Sequence, residues 1–215
     1  MEVKGSLRKV AFIDVVDHLG LWNNCNFSVD VKELLYVFQN LDIPVSGECL
    51  DLIRKKGEIL KFSSIGQAIF GFSMAIVADR YDLVFDILNN GRVYEQAWLS
   101  LSTGKFQLWN KISESLMIYF MYAKFSQFND IKQWLENNNS LLFAYVGNSK
   151  CWVSGDDDDI WSICVSGDDK YDITCWKENK YGSILNIVQG ILISEKHEIS
   201  TFQTSLRKKM IDKCF

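Results

Sequence analysis

Apolar and polar positions along the chain repeat with two different periods. VAFIDVV (10–16) is a continuous apolar, largely β-branched run of strand length. VDVKELLYVFQNL (29–41) sets apolar residues at helical spacing behind Asp30, a candidate N-cap. Pro44 and Gly47 punctuate the pattern, and ECLDLIRKK (48–56) resumes it as a second amphipathic stretch. Residues 64–91 form the most helical region, with a break expected near Arg80–Tyr81 and Asn-Asn-Gly as its stop signal. NKISESLMIYFMYAKF (110–125) and NDIKQWLEN (129–137) read as two further helices, the second with Asn129 or Asp130 as candidate cap.

After Ser140 the period shortens. LLFAYVG, KCWVSG, DIWSICVSG and DKYDITCW are short β-type runs separated by Gly, Asn and Asp turns. GSILNIVQGIL (182–192) returns to helix, and the tail from Ile199 reads as a helix carrying Arg207, Lys208 and Lys209 together. Helices first and short strands later predict an α+β domain, predominantly α-helical with a small β-sheet. No internal repeat is visible. The expected division is one domain over 1–195 and a basic C-terminal helix or tail over 196–215.

Composition narrows the classes. A chain of 215 residues, 48% hydrophobic and 23% charged, is long enough and apolar enough for one real core. No run approaches the ~20 apolar residues of a membrane span, and MEVKGSLRK lacks a signal-peptide core. An intracellular protein, cytoplasmic or nuclear, with no membrane partner is expected. Net charge of −4 argues against general nucleic-acid binding, leaving the basic tail as a minor protein or RNA contact beside its plainer reading as a solvated helix face. The Cys residues contain no CxxC and read as core thiols. His18 and His197 lack acidic or Cys neighbours at ligand spacing, so no metal and no cofactor is expected.

The run Asp156–Asp159 leads straight into Ile160 and Trp161. Like charges side by side usually mark a solvated turn. The absence of alternating aspartates and a distal glutamate argues against a calcium loop. The remaining alternative is an acid at the edge of a cleft.

Several separated pieces share an order. Trp22 precedes Cys-x-Phe-x-Val-Asp; Trp109 precedes Lys124-Phe125-x-Gln127 by about four helical turns. Asp158 stands three positions before Trp161, and Asn179-x-x-Gly182 opens a helix. In this order the chain resembles the NADAR (NAD- and ADP-ribose-related) family of small α+β N-glycosidases, over roughly residues 17–193. Cleaving a ribosyl C1′–N bond passes through a state with positive charge on the sugar, which a carboxylate steadies while a carboxylate also activates water. The resemblance implies Asp158 as catalytic acid, if the protein is active. It implies Trp22, Gln67, Trp109, Lys124, Trp161, Asn179 and Gly182 as ligand-binding residues. Each has a plainer alternative: core rings for the tryptophans, an exposed helix lysine over Tyr122, a turn or cap asparagine, a glutamine bonded to backbone.

The chain departs from that family where its chemistry sits. Gly66 in Ser64-Ile65-Gly66-Gln67 stands where the family carries a glutamate. Trp161-Ser162-Ile163-Cys164 lacks both glycines of the family's turn, and Phe143-Ala144-Tyr145 lacks a second acid. The expected Gly-Arg is either Gly91-Arg92 or Gly104-Lys105, and an extra helical segment lies at about 31–62. The resemblance therefore implies a non-catalytic NADAR-like interaction or scaffold subunit with protein partners. Two alternatives stand beside it: an N-glycosidase acting on NAD- or ADP-ribose-type compounds, with Glu95 or Glu114 recruited, and an ADP-ribose-like ligand sensor without turnover. The other sequence signatures of catalysis, nucleophile elbows, Walker loops and HExxH, are absent.

Overall fold

The computed structural model describes residues 10–14, 26–90, 96–140, 142–146 and 180–197. Strand β1 (Val10–Asp14) pairs in parallel with β4 (Leu142–Val146), in register Val10 to Leu142 through Asp14 to Val146. Strand β2 (Phe27–Asp30) pairs antiparallel with β3 (Ile59–Phe62). Between β2 and β3 lie α1 (Val31–Asn40) and α2 (Gly47–Lys55). A π-helical segment (Gln67–Ser73) runs into α3 (Met74–Val77), followed by α4 (Tyr81–Asn90) and α5 (Gln96–Leu99). Then come α6 (Thr103–Phe125), α7 (Asn129–Asn137), β4 and α8 (Lys180–His197). The class is α+β and helices dominate, as the periodicity predicts. The order differs: three of the strands precede α6, so the segregation of helices from later strands does not hold. The runs KCWVSG, DIWSICVSG and DKYDITCW, and the basic tail, lie outside the described residues.

Helix α6 is the spine. Residues 116–122, LMIYFMY, are buried without interruption, so this part of the helix is surrounded rather than laid on a surface. The π segment, β2, α3, α7 and α8 pack against it. Phenylalanines lock the elements around the spine. Phe62 on β3 meets Phe27 of β2 at 5.8 Å, Phe72 of the π segment at 5.2 Å and Phe120 of α6 at 5.7 Å between ring centroids. Phe72 in turn stacks on Phe38 of α1 at 6.3 Å. Such pairs add about 0.5–1.5 kcal/mol each beyond their burial.

The segment expected as an inserted helical pair is a closed β2–α1–α2–β3 excursion. Strand β3 escapes periodicity because ILKF has only two inward residues, Leu60 and Phe62, between exposed Ile59 and Lys61. Asp30 does cap α1, its carboxylate accepting from the Glu33 N–H at 3.0 Å. Gly47 is not a breaker but the first residue of α2, whose cap is Ser46, accepting from the Cys49 N–H at 3.3 Å. Neither Asn129 nor Asp130 caps α7. Phe128 occupies that position without a side-chain bond, and Asp130 sits inside the first turn, where a negative charge suits the helix dipole.

The break expected near Arg80–Tyr81 is a Schellman closure. Asp79 is left-handed at φ 59°; its N–H bonds to the Ile76 carbonyl at 2.9 Å, and the Arg80 N–H to the Ala75 carbonyl at 2.9 Å. Helix α1 ends in the same way. Asp42 has φ 53°, its N–H bonds to Gln39 at 3.1 Å, and the Ile43 N–H reaches Phe38 at 2.9 Å.

Candidate functional site

Of the residues implied as a ligand site, Gln67, Trp109, Lys124 and Gly182 lie within the described structure; Trp22, Asp158, Trp161 and Asn179 lie outside it. The four described ones sit on the spine or on elements packed against it. Trp109 is buried on α6, 6.4 Å between ring centres from Phe70 of the π segment. Gln67 opens that segment. Gly182 is buried in the first turn of α8, which begins at Lys180, one residue after Asn179. Its carbonyl accepts from Asn186 Nδ2 at 2.8 Å, and Asn186 Oδ1 accepts the Phe143 N–H at 3.3 Å, tying α8 to β4.

Lys124 changes most on sight of the structure. The alternative of an exposed lysine lying over Tyr122 fails: Lys124 is 0% exposed, in the last turn of α6. Burying an ammonium is expensive unless it is compensated, and no buried side-chain nitrogen among the described residues lacks a partner. The last turn is a favourable place for a cation, because the helix dipole is negative there. Gln67 is 2% exposed, and its Oε1 accepts from the Ser63 N–H at 2.6 Å and the Ser63 hydroxyl at 2.9 Å. The Gln67 N–H is itself taken by Ser64 Oγ at 3.1 Å. This amide is anchored to backbone, the plainer of its two readings.

The π segment has a local cause. Ser73 Oγ donates to the carbonyl of Ala68 five residues back at 2.8 Å, the spacing of the wider helix. All seven residues of the segment are buried. Gly66 precedes it with helical backbone, φ −58° and ψ −41°, and is buried too. No left-handed conformation requires glycine there. What the glycine leaves out is a side chain.

The buried polar and charged side chains among the described residues are Ser64, Gln67, Ser73, Ser113, Lys124 and Gln189. The set holds hydroxyls, amides and one ammonium, and no carboxylate. No buried side-chain N or O among the described residues lacks a partner, and no group of three His, Cys, Asp or Glu converges among them. Glu114, considered as a recruited acid, is an exposed position of α6; Glu95 lies outside the described residues. Cys49 is 1% exposed, and burial pushes its thiol up from 9.0, so it is poorly suited to act as a nucleophile.

Gln127 follows Lys124 in the same motif and does something periodicity does not reveal. Its Oε1 accepts the Ser28 N–H at 2.9 Å, and its Nε2 donates to the Ser28 carbonyl at 2.7 Å and also to the Ala123 carbonyl. The buried amide of Gln189, likewise absent from the expected site, donates to the carbonyls of Leu135 at 2.7 Å and Asn138 at 3.1 Å, closing α7 onto α8. Gln189 is a buried amide in an apolar helix, and Gln127 stands in the turn between α6 and α7. No helix among the described residues is long and apolar enough to cross a membrane. No protein-family model, no curated protein and no solved structure matches the chain.

Proposed function

We propose that this chain is a divergent NADAR-like protein that has lost the glycosidase reaction and serves as an interaction subunit in a protein complex. One observation carries the reading. Among the described residues the buried polar set contains no carboxylate, and Gly66, aligned with the family's glutamate, is a buried glycine at the mouth of the π segment. A positioned acid or base is worth roughly 10²–10⁴ in rate, so its loss removes most of the turnover. The kinship rests on the family's motif order in an α+β chain.

The test is incubation of the purified chain with NAD, ADP-ribose and ADP-ribosylated nucleic acid, followed by chromatography. No product is expected. A product that disappears in Asp158→Asn would overturn the reading in favour of a working N-glycosidase. Melting the same samples separates binding from chemistry. A ligand at about 100 times its Kd adds ~2.7 kcal/mol of stability, and such a rise without product would make the chain a sensor of that ligand.

A further inference from the structure

We draw no further inference here: the strongest candidate, the exposed surface patch of Tyr81 and Phe85 on α4, carries none, because its neighbouring charges Arg80 and Asp82 are paired with each other and nothing in the structure shows what covers it.

Discussion

A single side chain, Gln127, completes a strand. Its amide offers the Ser28 backbone one acceptor and one donor, at 2.9 and 2.7 Å, the pair that a neighbouring strand residue would supply. Strand β2 has β3 on one edge, and this amide satisfies Ser28 where a further strand would otherwise be needed. Gln127→Ala should therefore lower stability by about 1–3 kcal/mol in urea unfolding, the net worth of two hydrogen bonds. Gln127→Glu should do no better, because it keeps the acceptor and turns a carboxylate toward the carbonyls of Ser28 and Ala123. A loss below the scatter of the measurement would show that water replaces the amide freely. The neighbouring Lys124 shows how a residue's role can hide. In YAKF it reads equally as an exposed lysine, because one position carries no periodicity. The decisive signal lay in the whole of α6: residues 116–122 leave no polar face for a lysine to share. Gln67 shows the opposite case, where a site residue implied by kinship is held by Ser63 and Ser64 and needs no ligand to explain it.

At the scale of elements, amphipathic helices were legible, and the two four-residue strands, β2 and β3, were not. Asp30, the break at Arg80–Tyr81 and the helices ending at Phe125 and Asn137 follow from local chemistry that any window of the sequence contains. Strands β2 and β3 are defined by pairing Phe27 with Phe62, a relation between distant residues that no window holds. The two Schellman ends sharpen the point. Both place aspartate where glycine is the usual residue, so the stop signal is present in a weaker form. A side chain in left-handed backbone costs roughly 1–2 kcal/mol, less for Asp, and glycine gives part of that gain back as entropy of the unfolded chain. Asp42→Gly and Asp79→Gly should each raise stability by about 0.5–1 kcal/mol in thermal or urea melts, and the two should add because they close different helices. Either variant melting below the parent would mean that the aspartate makes a contact that outweighs its backbone strain.

For the molecule as a whole, the excursion over 31–58 decides how the fold relates to its function. Its ends meet, Asp30 lying opposite Ile59, so a two-residue Asn-Gly turn could geometrically replace it. Seen only as extra sequence against a family pattern, it would be dispensable. Its packing says otherwise. Leu34, Val37, Phe38, Leu52 and Ile53 belong to the same continuous core as α6, and Phe38 stacks on Phe72. Fully burying one such side chain is worth about 1.5–3 kcal/mol, against a net stability of roughly 5–15 kcal/mol for a domain. Excision would bare Phe72 and the faces of β3 and the π segment together. The excised chain should lose its cooperative melt and expose apolar surface to a hydrophobic dye. A sharp transition like that of the parent would show the excursion to be a peripheral addition. The same excision would also loosen the end of α4, since α2 packs on α4 and Lys56 Nζ donates to Asn89 Oδ1 at 2.7 Å.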